Sequence, residues 1–136
     1  MNVVYETTST ATGGGRDGRV TTDQGLELDL AVPKEMGGSG GATNPEQLFA
    51  SGFAACFHSA LQLVARTTKT DLGESAVNAT VGIGKQGQGF GLTVALEVSA
   101  SQVDKAALED LAAKAHEVCP YSNATRGNID VTVSVA

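Results

Sequence analysis

Two cysteines, two histidines and a few scattered charges carry whatever chemistry this chain can do. Cys56 lies in SGFAACFHSALQLVAR (51–66), among small and apolar neighbours, with no formal charge until Arg66. Cys119 follows 63 residues later, in HEVCPYSNATRGN. A single cysteine in such a setting fills space as a small hydrophobe. A pair can also do thiol–disulfide chemistry. A free thiol titrates near ~8.5, so only a few per cent is thiolate at neutral pH. Apolar surroundings reduce that fraction further unless a cation is close. A reactive Cys56 therefore needs an arginine, and the arginine needs a carboxylate to hold it. Spacing alone does not select them.

Other groupings are weaker. Cys56, His58, His116 and Cys119 suggest zinc, but Cys56 and His58 are two apart on a predicted helix, about 200° around its axis. At most three ligands remain, and structural zinc takes four. No metal or cofactor is expected. GIGKQG (82–87) matches G-x-G-x-x-G, yet a strand rather than a helix follows, so the phosphate-binding helix N-terminus is missing and a hairpin turn is expected. Taken singly, Arg16 reads as a solvated charge, Glu46 as a helix-dipole partner, His58 as a satisfied core or interface histidine, and Arg126 stays ambiguous.

The chain has 136 residues, long enough for one domain (1–136) with a real core. Net charge is −6 with dispersed basic residues, which argues against a nucleic-acid partner. MNVVYETTST has neither a basic start nor an apolar run, so no signal peptide is read and the cytoplasm is the expected compartment. Two cysteines there suit a transient disulfide better than a permanent one. The stretch 47–65 lacks formal charge but includes Gly52, His58, Gln62 and two serines; a buried helix is expected rather than a membrane span.

The elements that must position these residues follow from pattern. Residues 3–10 alternate and predict a strand. GGGRDG (13–18) predicts a turn with Arg16 at its tip. RVTTD and LELDLAVP predict strands around a QG turn, and KEMGGSGGATN (34–44) a flexible loop. Asn44 as N-cap, Pro45 at the first position and Gln47 at the third open a helix to about residue 68. Leu48, Phe49, Phe53, Cys56, Phe57, Ala60, Leu63 and Val64 recur along it at helical spacing. AVNATVGIG and LTVALEVSA predict a hairpin. Ser101 and Asp104 read as an S-x-x-D start for a second helix, about 102–118, which Cys119-Pro120 ends. IDVTVSV predicts a closing strand. The order β-β-β-α-β-β-α-β reads as α+β, with mostly antiparallel sheets around a central apolar helix. That helix is apolar nearly all round, which calls for a second chain against it.

TNPEQLFASGFAACF (43–57), HEVCPYSNATRGNIDV (116–131) and TATGGGRDGRV (10–20) resemble the organic hydroperoxide resistance proteins of the OsmC/Ohr family, over nearly the whole chain. The resemblance implies a thiol-dependent peroxidase acting on organic, including fatty-acid, hydroperoxides. It implies an intertwined homodimer with two sites at the subunit interface, and a dithiol reductant such as a lipoylated protein. Position by position it makes Cys56 the peroxidatic cysteine and Cys119 the resolving one. Arg16 of GGRDG, rather than Arg19, becomes the thiolate's cation, and Glu46 of NPEQLF becomes its anchor. A redox sensor of the same fold without rapid turnover is the alternative. Glu46 and Cys56 are ten residues apart on one predicted helix, about 15 Å along its axis. Two such helices crossing antiparallel near residue 51 would bring Glu46 of one chain beside Cys56 of the other. Ala50, Ser51, Gly52, Ala54 and Ala55 are small enough to permit that approach. Each site is thus expected to take Cys56 and Cys119 from one subunit and Glu46, with Arg16, from its partner.

Overall fold

A computed structural model describes all 136 residues. Two compact units divide the chain, Met1–Leu48 and Phe49–Ala136. The first holds an antiparallel three-stranded sheet of β1 (Ser9–Thr12), β2 (Arg19–Thr22) and β3 (Glu27–Asp29), in that order. The predicted first strand is displaced: residues 1–8 form none, and Val3, Val4 and Tyr5 are exposed. A strand needs a partner. The β2 partner ends at Thr22, which pairs with Ser9 and then turns back through its bond to Leu26.

The Gly-rich stretch after β3 is tied down rather than open. It makes a 3-10 turn at Lys34–Met36, and the Gly38 and Gly40 amides donate to Pro33 and Val32. Thr43 accepts from the Ala31 amide at 3.0 Å, which delivers the chain to helix α1 (Pro45–Thr67). Asn44 caps that helix as its sequence demands, its Oδ1 accepting from the Gln47 amide at 2.8 Å.

α1 runs on into the second unit. By length and composition alone it is long and apolar enough to cross a bilayer. Phe53, Phe57, Ala60, Leu61, Val64 and Ala65 instead form one side of the second unit's core. Opposite them lie Val94, Leu96 and Val98, alternate residues of β5 (Gly89–Ala100). β5 forms a hairpin with β4 (Ser75–Gln86) through a tight two-residue turn at 87–88, where Gly87 takes the positive φ (58°) such a turn needs. The third contributor is α2 (Lys105–Val118), whose Leu108, Leu111, Ala112 and Ala115 recur at 3–4 residue spacing. Each fully buried Phe or Leu here contributes roughly 1.5–3 kcal/mol.

Two local expectations are corrected. Asp104, not Ser101, caps α2, its Oδ1 accepting from Ala107 at 2.8 Å. Ser101 still belongs to the hairpin's end, bonded through its amide to Glu74 and accepting the Glu74 amide on its hydroxyl. Beyond the break at Cys119 a further short helix, α3 (Pro120–Thr125), restarts with Pro120 in the first turn, where proline's missing N–H costs nothing. β6 (Val131–Val135) then pairs parallel with β5. Parallel pairing needs a crossover, and α2 with α3 supply it. The α+β class holds, with two three-stranded sheets and one long apolar helix.

Candidate active site

The two cysteines are 63 residues apart in sequence, yet their sulfurs lie 3.6 Å apart. The facing helices cause this. Cys56 follows Phe49 and Phe53 on one face of α1 at i, i+4 and i+7. Cys119 extends the buried stripe of α2, four residues after Ala115. Both are free thiols; Cys119 is fully buried and Cys56 partly so.

Their protonation is set by surroundings that oppose each other. Burial is the main cause pushing the Cys56 thiol above its ordinary value, the backbone amide of Tyr121 pulls it down, and neighbouring Cys119 raises it again. None of these influences is a cation. The thiolate therefore needs further positive charge before it is abundant at neutral pH.

Cys56 packs on the core cluster that includes Phe53, one turn earlier on α1, and the Tyr121 backbone reaches its sulfur. Phe49, Phe53 and Tyr121 form a triangle with centroids 5.8–6.4 Å apart. Gly52 makes room for it: a Cβ there would lie 3.0 Å from the Tyr121 ring. The apolar wall at Cys56 thus depends on a glycine inside a helix, where Ala would otherwise be preferred by about 1 kcal/mol.

In the first unit, Arg16 and Glu46 make the bidentate pair expected of an arginine held for work. Nη1 donates to Oε2 at 2.8 Å and Nη2 to Oε1 at 2.7 Å. Glu46 is mostly buried, its side chain 14% exposed against 36% for Arg16. The guanidinium is the leading cause holding the Glu46 carboxyl below its usual range, and Glu46 raises Arg16 in return. Arg19 is engaged elsewhere, with Asp29 and Glu27 on the neighbouring strand, and Arg126 donates to the His116 carbonyl. Of the arginines weighed from sequence, Arg16 is the one paired with Glu46. α1 is unbroken, so Glu46 and Cys56 sit ten residues apart on one helix, about 15 Å along it.

Sequence reasoning missed several supporting residues. Asp17 accepts the Val32 amide on Oδ1 at 2.9 Å, anchoring the Arg16 turn. Gly18 lies against the Thr12 carbonyl, where a Cβ would fall 2.0 Å from that oxygen, so no side chain fits. Tyr121 and Ser122 were missed along with α3; the Pro120 that ends α2 was also the signal for a new helix start. His58, which the sequence reads as a satisfied core or interface histidine, has a hydrogen-bond partner in Ser75 at 2.8 Å.

Comparison with known proteins identifies the class of the chain. The model of the OsmC-like protein family matches residues 38–134, and the chain belongs to that family. Similar relatives include organic hydroperoxide resistance proteins. One from Xanthomonas axonopodis pv. citri (strain 306) is 53% identical over 137 residues, covering 98% of this chain and 96% of its own. Among solved structures, an organic hydroperoxide resistance protein of Elizabethkingia anophelis superposes with TM-score 0.95 at 49% identity, covering 100% of this chain and 99% of its own. One of Legionella pneumophila superposes with TM-score 0.94 at 50% identity, covering 99% of each chain. The family read from TNPEQLFASGFAACF and VCPYSNATRGNIDV is therefore correct.

Proposed function

We propose that this chain is a thiol-dependent peroxidase that reduces organic hydroperoxides to alcohols. The observation that carries the reading is the pair of free thiols 3.6 Å apart, one of them fully buried, beside an aromatic wall. The kinship with organic hydroperoxide resistance proteins supplies the substrate class.

In this reading the Cys56 thiolate attacks the distal peroxide oxygen. The O–O bond breaks, the alkoxide takes a proton and leaves as alcohol, and Cys56 is oxidised to a sulfenic acid. Cys119 then attacks that sulfur. Its proton leaves with the hydroxyl as water, and a Cys56–Cys119 disulfide remains. A dithiol such as protein-bound lipoamide in its reduced, dihydro form reduces the Cys56–Cys119 disulfide to two thiols and itself becomes a cyclic disulfide. Phe49, Phe53 and Tyr121 favour an alkyl tail, which gains roughly 0.8 kcal/mol per buried CH₂. Hydrogen peroxide has no tail and gains none of it.

Arg16 stabilises the thiolate and orients the peroxide, and Glu46 fixes the guanidinium. We assign them to the partner's site in a homodimer. The 15 Å helical separation from Cys56 supports this, as does the outer face of α1, where Ser51, Ala55, Ser59 and Leu63 are exposed in the single chain at intervals of four. Both compact units then serve one functional domain per chain, and a reducing cytoplasm keeps the thiols free.

Steady-state consumption of cumene hydroperoxide with dihydrolipoamide as reductant tests the reading. Many turnovers per Cys56 are expected. A single stoichiometric oxidation without turnover would instead make the couple a sensor, and no oxidation at all would end both readings.

A further inference from the structure

Cys119 occupies a mechanical weak point. It is the single extended residue (φ −67°, ψ 125°) between α2 and α3, and Pro120 enforces the break. The Cys119 amide and carbonyl are used within the adjoining turns, bonded to Ala115 and Asn123. Neither bond fixes the angle between the two helices.

His116 spans the joint. Its Nδ1 lies 2.8 Å from the Oγ of Ser122, a fully buried residue of α3. Its backbone carbonyl accepts from Nη2 of Arg126, the residue that closes α3, at 2.6 Å. Its ring also packs against Phe57, the neighbour of Cys56, with centroids 6.4 Å apart. One α2 residue thus grips α3 at two points and touches α1 beside the reacting sulfur. Ser122 is one of only two buried polar residues in the chain, so a hydroxyl kept at that depth has a specific partner to satisfy.

We propose that His116, held by Ser122 and Arg126, is a positioning residue that sets the angle of the α2–α3 joint and so keeps the Cys119 sulfur within reach of Cys56. The proposal rests on Cys119 being the resolving thiol. Disulfide closure brings the sulfurs from 3.6 Å to about 2.05 Å. A joint free to swing would spread Cys119 over many positions and lower its effective concentration at Cys56. Burial, and then the charge of Arg126, hold the His116 imidazole below its ordinary pKa, in keeping with a neutral ring at this bond.

The test needs no peroxide. The reduced protein is equilibrated in glutathione buffers, where protein dithiol and oxidised glutathione exchange with protein disulfide and two reduced glutathiones. Mass spectrometry after alkylation then reads the disulfide fraction. Ser122→Ala and His116→Leu should each lower the closure constant at least tenfold, about 30 mV for this two-electron couple. The double variant should be no worse than either single one, since both remove the same bond. His116→Asn, whose amide reaches the Nδ1 position, should return to within about threefold of wild type. Should either truncation melt before the assay temperature, Arg126→Ala, which removes the carbonyl contact and leaves both partners of the His116–Ser122 bond in place, should still lower the constant severalfold. Closure constants equal to wild type in folded variants would overturn the clamp alone. Failure of the wild-type pair to close would overturn the resolving role of Cys119, and the clamp with it.

Discussion

The sulfurs of Cys56 and Cys119 lie 3.6 Å apart as free thiols, in contact but unbonded. About 1.5 Å of further approach completes a disulfide. The pair is thus held near its oxidised geometry while reduced, which suits a couple that cycles.

The two thiols should divide the labour. Cys56→Ser is expected to abolish hydroperoxide consumption. Cys119→Ser should permit one oxidation of Cys56 and then stall, with sulfinic acid accumulating as peroxide is raised. Intact-mass spectra after peroxide titration read both outcomes; sustained turnover by Cys56→Ser would reverse the assignment.

Arg16→Ala should raise the pH at which Cys56 alkylates, because burial already disfavours its thiolate and the cation would be gone. Peroxide attack should slow by roughly 10²-fold or more, as expected when about 3 kcal/mol of preorganised charge is lost. Arg16→Lys should rescue little, since one ammonium cannot reproduce the two-point grip on Glu46. Iodoacetamide kinetics from pH 5 to 10 follow the shift.

Subunit exchange tests the shared site. Cys56→Ser and Glu46→Ala chains, each inactive alone, should recover about one working site per mixed dimer. Tagged pull-down verifies the exchange. A mixture as inactive as its parents would place Glu46 in its own chain's site or in none.

Gly52→Ala should scarcely change the melting temperature, because the gain in helix propensity offsets the contact of the new methyl with Tyr121. Displacing that ring should alter substrate choice. The kcat/KM for cumene hydroperoxide is expected to fall about fourfold or more relative to tert-butyl hydroperoxide, the equivalent of one buried CH₂.

The Glu46 carboxyl titrates below its ordinary value of 4.5, chiefly because of Arg16. Its folded pKa is depressed, so its contribution is fully present above the unfolded value and is lost as pH falls through the folded one. At pH 7 Glu46→Gln should cost less than about 1 kcal/mol, given the exposure of Arg16. Toward pH 3 the difference from wild type should shrink. Denaturant melts across that range measure it; a gap that widens in acid would contradict the ion pair.

The sequence by itself determined the elements whose signals are local. Asn44, Pro45 and Gln47 specify the start of α1, and the spacing from Phe49 to Val64 fixes the face that it buries. The alternation of Val94, Leu96 and Val98 assigns the inner side of β5. Residue type alone raised Cys56 and Cys119 as a candidate thiol couple, whereas motif resemblance, not periodicity, implied their separate roles and selected Arg16 and Glu46. Tertiary structure alone decided what depends on a distant partner. Residues 3–10 have strand propensity, but only Ser9–Thr12 find β2 opposite them. Ser101 and Asp104 both can cap a helix, and pairing of Ser101 with Glu74 left the cap to Asp104. The 3.6 Å sulfur contact, the grip of His116 on Ser122 and the recess for Tyr121 over Gly52 depend on how helices remote in sequence pack. Hydrogen bonding along one chain segment is encoded within a few residues, whereas a contact across 63 residues exists only after the core between them has closed.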